Sequence, residues 1–189
     1  PSGTQVATPI EHLLASQVGR IEVLRGPQGL AYGADAGGVI NISSAPQRDG
    51  LSLGLDAQAG ARGTQQYAAQ LGLGSEAVDF SLGLSDFTTD GYNSRESDAT
   101  LRDDDGYENT TIHARLGVAI NEQFALSLVH RDTASESQYD GCFLGFSQVN
   151  ECLSVYDFSG SRAELSYEGT GLSQSLSYAV SKTDRDNLS

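Results

Sequence analysis

From Leu51 onward the chain alternates apolar and polar residues with a period of two, in seven successive segments. Neighbouring side chains on an extended strand point to opposite faces, so each segment predicts a strand with one apolar and one polar face. In the first, Leu51, Leu53, Leu55, Ala57, Ala59 and Ala61 oppose Ser52, Gly54, Asp56, Gln58, Gly60 and Arg62. Tyr67, Ala69, Leu71 and Leu73 then oppose Gln66 and Gln70, and Val78, Phe80, Leu82 and Leu84 oppose Asp79, Ser81 and Ser85. Ile112, Ala114, Leu116 and Val118 oppose Thr111, His113 and Arg115; Phe124, Leu126 and Leu128 oppose Ser127 and Arg131, with Val129 blurring the pattern. The last two segments carry Ala163, Leu165 and Tyr167, then Leu176, Tyr178 and Val180. An antiparallel sheet with one wet face fits this alternation in either a soluble sandwich or a membrane barrel.

The links between segments favour the barrel. Those after the second, fourth and sixth strands are short, at Gly74 to Ala77, Asn121 to Gln123 and Glu168 to Gly171, whereas those after the third and fifth run from Thr88 to Glu108 and from Thr133 to Asp157. Tight turns on one rim and long loops on the other are the pattern of transmembrane barrels; only the first outer turn, at Gly63-Thr64, is short. Strands of about ten residues, tilted about 45°, cover an apolar band of roughly 25 Å. Asp56, Asp79, Arg115 and Glu164 all fall on the polar face, where a charge avoids the cost of lipid. Seven strands are one short of the smallest such barrels, so further strands are expected after Ser189.

Composition narrows the function. With 11 Lys+Arg against 25 Asp+Glu, a formal charge of -14 and a single lysine, Lys182, the chain lacks the cations with which nucleic-acid binders displace counterions from phosphates. It carries no run of 18 apolar residues, hence no transmembrane helix, and its start at Pro1 shows no signal peptide, as in an excised piece. Cys142 and Cys152 enclose a Gly-, Asn- and aromatic-containing loop that suits a disulfide in an oxidising compartment; the alternative is two free thiols, since the spacing matches no zinc or CxxC redox motif. There is no GxSxG, P-loop or HExxH motif, and His113 and His130 lie on predicted strands, where lumen-lining or rim roles are expected. Asn109-Thr-Thr fits the glycosylation pattern, which matters only in a secreted eukaryotic protein.

The first 46 residues have a different texture. Glu11 to Ser16 carries a short helical pattern, Arg20 to Arg25 and Val39 to Ile42 read as short strands, a Gly-rich turn region spans Gly26 to Gly38, and Ala45 to Gly50 reads as a linker with a boundary near Gln47. The ordered series Arg20-Ile-Glu-Val-Leu-Arg25-Gly26-Pro27-Gln-Gly-Leu-Ala-Tyr32-Gly33-Ala-Asp-Ala-Gly37-Gly38-Val-Ile-Asn41-Ile42 resembles the end of the plug domain of TonB-dependent outer-membrane receptors, in which a globular plug fills a 22-stranded barrel. Asp35 to Gly38 is one residue shorter than the usual motif. Gly26, Gly33, Gly37 and Gly38 permit positive φ and close backbone approach where a plug turns inside a narrow barrel. The resemblance implies an all-β transmembrane antiparallel barrel piece of about seven strands, residues 47–189, preceded by the C-terminal part of a mixed α+β plug, residues 1–46.

Within that family the outer loops resemble those of vitamin B12 (cobalamin) receptors, through Thr89-Asp-Gly-Tyr-Asn93, Arg102-Asp-Asp-Asp-Gly-Tyr107 and Gln138-Tyr-Asp140. The resemblance implies a calcium site held by Asp103, Asp105, Asp140 and Asp157, with Asn93 standing where an aspartate is expected. Chemistry points the same way: calcium takes six to eight oxygen ligands, and the stretch from Asp86 to Glu108 holds eight carboxylates against Arg95 and Arg102. The alternative is a solvated acidic loop. The implied function is TonB-driven import of a scarce small molecule, cobalamin or an iron chelate, across a bacterial outer membrane, with lipid around the barrel, TonB engaging a segment upstream of Pro1, and no enzymatic step. The alternatives are a siderophore receptor of the same family and a secreted calcium-binding β-sandwich adhesin.

Overall fold

The computed structural model describes residue 18 and residues 20–26, 38–43, 50–93, 95 and 103–188. The backbone divides into two compact units, Pro1–Pro46 and Gln47–Ser189. In the first, β1 (Arg20–Arg25) pairs antiparallel with β2 (Gly38–Ser43), Arg20 opposite Ser43 and Arg25 opposite Gly38. Asn41 donates to Glu22 at 3.0 Å across the pair, and Glu22 also meets Arg20. Gly26 leaves β1 with φ of 87°, the positive value expected of it, whereas Gly38 is extended within β2. Pro27, Tyr32, Gly33 and Gly37, and the helical pattern at Glu11 to Ser16, lie outside the described residues; among those described there is no helix, so the mixed α+β character expected of this unit is represented by its strands alone.

The second unit is a seven-stranded antiparallel meander: β3 (Gly50–Ala59), β4 (Gln65–Gly74), β5 (Val78–Tyr92), β6 (Asp105–Ala119), β7 (Phe124–Tyr139), β10 (Cys152–Gly169) and β11 (Leu172–Leu188), each paired with the next in sequence. A small hairpin, β8 (Cys142–Leu144) with β9 (Ser147–Val149), rises between β7 and β10. The register carries the sequence alternation across the sheet. Leu51, Leu73, Phe80, Leu116, Leu128, Ala163 and Tyr178 form one continuous transverse row, and Ala68, Ser85, Thr111, Thr133, Phe158 and Thr183 form another on the opposite face.

Burial is inverted relative to a soluble sheet. The apolar face is open to solvent, with Leu55 78% and Leu176 75% exposed, whereas among the described residues all the buried ones lie on the polar face: Ala68, Ser85, Asn109, Thr111, Thr133, Ser135, Cys152, Ser154 and Tyr156. These polar groups satisfy one another, as burial requires. Thr111 Oγ1 lies 3.0 Å from Asn109 Oδ1 and 3.1 Å from Thr133 Oγ1, Asn109 Nδ2 donates to the Tyr107 hydroxyl at 3.0 Å, and Arg131 Nε donates to Thr133 at 3.2 Å. Asp79 and Arg115 pair at 3.0 Å on the same face. Asn109 is only 1% exposed within a strand, which closes the glycosylation reading.

The short turns are built as expected. Asn121 Oδ1 accepts from the amides of Gln123 and Phe124 at 2.9 and 2.8 Å, and Thr170-Gly171 forms a two-residue turn with Gly171 at φ of 78°. In the first outer turn Arg62 and Gly63 both take positive φ, 58° and 62°, as a two-residue hairpin turn of the primed type needs. Arg62 is held in this unfavourable conformation by β5: its carbonyl accepts from the Asp90 amide at 2.9 Å, and its guanidinium lies 5.2 Å from the centre of the Tyr92 ring.

The strands run further outward than the alternation indicated. β5 and β6 extend to Tyr92 and from Asp105, and β7 and β10 to Tyr139 and from Cys152, so much of the two expected long loops is hairpin. Beyond Leu84, Ile112 and Leu128 the Leu and Ile side chains of the apolar face give way to Thr, Ser, Asp and Glu, while Phe87 and Tyr107 stand on the other face, so the period-two contrast disappears. At the end of β5 the register shifts between Thr89 and Tyr92 around Gly91, which has φ of 71°; a Cβ there would lie 1.8 Å from the Asp105 carbonyl oxygen. Gly91→Ala should therefore cost about 1 to 3 kcal/mol and loosen the outer ends of β5 and β6, against less than about 0.5 kcal/mol for Gly54→Ala in an unstrained strand position. Urea unfolding of the full-length protein in detergent compares the two.

Candidate functional site

The second and third outer loops meet above the sheet. Gly106 N donates to Gln138 Oε1 at 2.9 Å, linking the start of β6 to the end of β7, and Nη1 of Arg95 lies 3.9 Å from where a Cβ of Gly141 would stand. Asp103 and Asp105 approach on the β6 side and Asp140 follows Tyr139 on the β7 side. Oδ1 of Asp103 is buried without a hydrogen-bond partner, and Oδ1 of Asp140 is buried as well. A buried carboxylate oxygen with nothing to accept from is costly unless a cation compensates it, so Asp103 suits a hard, oxygen-seeking ion.

The other two expected ligands are placed differently. Asn93 Oδ1 accepts from the Arg95 amide at 2.8 Å in a local turn. Asp157 lies on the face that carries the apolar band, opposite Ala134 and Asp184, and the five residue steps of strand from Cys152 to it amount to about 16 Å. The structure thus brings Asp103, Asp105 and Asp140 to the same rim and leaves Asp157 below them. Among the described residues no three His, Cys, Asp or Glu side chains already form a metal-binding group.

Cys142 and Cys152 form a disulfide, which closes the β8–β9 hairpin at the base of the third outer loop. Gly141, at φ of 84°, starts this loop, and its amide donates to Val149 O and Asn150 Oδ1. Closing a loop of this length contributes roughly 3 kcal/mol in the chain-entropy account.

One triad-like arrangement escaped the sequence reading. His130 Nδ1 is 2.8 Å from Ser161 Oγ, and His130 Nε2 is 2.6 Å from Asp132 Oδ2. The three residues lie on neighbouring strands at the upper edge of the apolar band, and β10 is paired on both sides by β7 and β11, so its amides are committed to the ladder and leave no donors for an oxyanion. His113 lies on the polar face, opposite Gly83 and Arg131, as expected of a lumen-lining residue.

No family model matches the chain. Curated proteins that it resembles include the vitamin B12 transporter BtuB of Photobacterium profundum, 26% identical over 190 residues that cover 99% of this chain and 30% of that protein. The vitamin B12 transporters BtuB of two strains of Vibrio vulnificus are 28% and 29% identical, over 80% and 92% of this chain and 25% and 27% of their own lengths. The chain therefore spans between about a quarter and a third of the length of these relatives. Over almost its whole length this chain is similar to vitamin B12 transporters, as its outer-loop motifs led us to expect.

Proposed function

We propose that residues 1–46 are the end of a plug and residues 47–189 the first seven strands of a transmembrane barrel, in a TonB-dependent receptor that imports cobalamin across a bacterial outer membrane. The observation that carries this reading is the inverted sheet: exposed Leu and Tyr on one face, and buried, mutually hydrogen-bonded Ser, Thr and Asn on the other. Lipid is the solvent that suits the first face, and a hydrated lumen suits the second. β3 and β11 are each paired on one side only among the described residues, and in a closed barrel further strands of the full-length protein would cover both edges. Similarity to vitamin B12 transporters supports the choice of substrate.

In this reading the chain performs transport and no group transfer. Outer loops capture the substrate, and TonB, acting on a segment outside this chain, moves the plug. Calcium, held by Asp103, Asp105 and Asp140, would neutralise the carboxylates and order the second and third outer loops together. A soluble calcium-binding adhesin would need a second sheet over the apolar face, and no sheet of comparable size occurs among the described residues. The test is fractionation and ligand binding: the full-length product should require detergent for extraction and, once purified, bind cyanocobalamin. Recovery in the soluble fraction without detergent would defeat the importer reading, and binding of ferric chelates in place of cyanocobalamin would make it a siderophore receptor.

A further inference from the structure

A groove crosses the apolar face of the sheet, perpendicular to its strands. Its floor is the backbone of one transverse row, through Ala68, Ser85, Thr111, Thr133 and Phe158, whose side chains point to the other face. Over β3 to β6 it holds about 600 Å³ between Leu55, Leu84 and Ile112 on one wall and Ala57 and Tyr67 on the other. Over β6 to β11 it holds about 300 Å³ between Asp132, Ser159 and Lys182 on the first wall and Asp157 and Asp184 on the second. Thr110 and Ile112 line both parts, so the groove is continuous. The small side chains of Ala57 and Ala69, set among Leu55, Tyr67 and Leu84, open its apolar part.

The chemistry of the groove changes along its length while the register stays unbroken. On the first wall Leu55, Ala69, Leu84 and Ile112 are followed by Asp132, Ser159 and Lys182, each opposite the next. In a barrel whose strands tilt about 45° a transverse groove slopes by a similar angle, and the change from Leu to Asp and Lys marks the β3 end as the one deeper in hydrocarbon. The apolar part spans three strand spacings, about 14 Å, and the polar part spans three more. An amphiphile lying along this slope keeps its chain on Leu and Ala and its head group on β7, β10 and β11.

The polar end carries both signs of charge. Lys182, the only lysine of the chain, donates to Asp184, which stands opposite Asp157. Asp132 Oδ2 lies 2.6 Å from His130 Nε2. Three carboxylates beside one ammonium repel a purely anionic head group. A head group that joins an ammonium to a phosphate finds a partner for each, carboxylates for its N–H groups and Lys182 for its phosphate. Acyl chains gain packing contacts in the groove but no hydrophobic advantage over the surrounding bilayer, so the head group supplies the selectivity.

We propose that this groove is a specific site for one membrane lipid with a phosphoethanolamine head group, its acyl chain lying along Ala57, Ala69 and Ile112 and its head group held by Asp132, Asp157, Lys182 and Asp184. This rests on the transmembrane-barrel reading and adds a lipid partner to it.

The experiment adds phosphatidylethanolamine or phosphatidylglycerol to the delipidated full-length receptor in detergent and follows the bound lipid by native mass spectrometry. The parent should hold one phosphatidylethanolamine about fivefold or more tighter than phosphatidylglycerol. Lys182→Gln combined with Asp184→Asn should bring the two lipids within about twofold of each other, and Ala69→Phe, which fills the apolar part, should weaken phosphatidylethanolamine about fivefold or more, both with an unchanged thermal midpoint. Ala163→Phe, in a separate depression of about 340 Å³ on the same face, should bind as the parent does. Equal affinity of the parent for both lipids overturns the proposal. So does parental binding in the double variant or in Ala69→Phe, an equal loss in Ala163→Phe, or a loss that comes with a lowered midpoint. Competition by free phosphoethanolamine at the affinity of the lipid also overturns it, because the site would then belong to a soluble ligand. Recovery of the receptor without detergent defeats the barrel reading itself, an outcome distinct from a detergent-requiring receptor that holds both lipids alike.

Discussion

Leu71→Arg should cost the full-length protein about 2 to 4 kcal/mol of stability in lipid, whereas Gln70→Arg, one residue away, should cost less than about 1 kcal/mol. Leu71 sits between Leu53 and Leu82 in the apolar row and is 39% exposed, so in a barrel its replacement pushes a guanidinium into the hydrocarbon. Gln70 points to the polar face, opposite Gly83, where the absence of a side chain leaves room and water can solvate the charge. The contrast is sharp because the two positions share a strand, a height and the same introduced group. Urea unfolding in lipid vesicles, with band shift on unheated gels as a second readout, measures both. Equal costs, or a larger cost for Gln70→Arg, would mean that the polar face is the packed interior and that the apolar face is not in lipid.

The seven-stranded sheet was legible because a single physical contrast, one apolar and one polar face, is written into every second residue. Leu51 to Ala59, Tyr67 to Leu73 and Val78 to Leu84 therefore gave strand, face and neighbour at once, and the register follows them. The outer ends of the strands were not legible for the same reason. At Thr133 to Tyr139 both faces meet water or polar neighbours, and nothing in the residue types marks them as strand. The polar core around Asn109 and Thr111 was also hidden, since Asn and Thr on a polar face read as solvated until the register sets Thr111 against Thr133. At the rim, spacing along the chain could suggest Asp103, Asp105 and Asp140, but only the register shows that Asp157 lies five residues along β10 from Cys152, on the apolar face. The β8–β9 hairpin left one trace in the sequence, the two cysteines; its Phe and Leu are too few to show a period.

Asp103→Asn combined with Asp140→Asn should change the sign of its effect with calcium. In calcium, each lost carboxylate ligand weakens affinity by about tenfold or more, so the double variant should bind the ion roughly a hundredfold less tightly, and substrate affinity should fall with it if the ion orders the loops. Without calcium the same change removes negative charge from a crowded rim, including the charge on Asp103, whose Oδ1 is buried without a hydrogen-bond partner, and the calcium-free protein should gain up to about 1 kcal/mol of stability. A solvated acidic loop predicts neither effect, because an exposed carboxylate carries no burial cost and holds no ion. Asp157→Asn is the internal control: it lies on the other face, below the rim, and should leave calcium affinity within about twofold of the parent. Calorimetric titration of calcium into the full-length receptor, with thermal unfolding in calcium and in chelator, compares the double variant and this control with the parent. An Asp157→Asn effect as large as that of the double variant would mean that the outer ends of β7 and β10 bend far enough to bring the two faces to one ion; parental calcium affinity in the double variant would leave the rim as a charged surface and take the ordering role of calcium away.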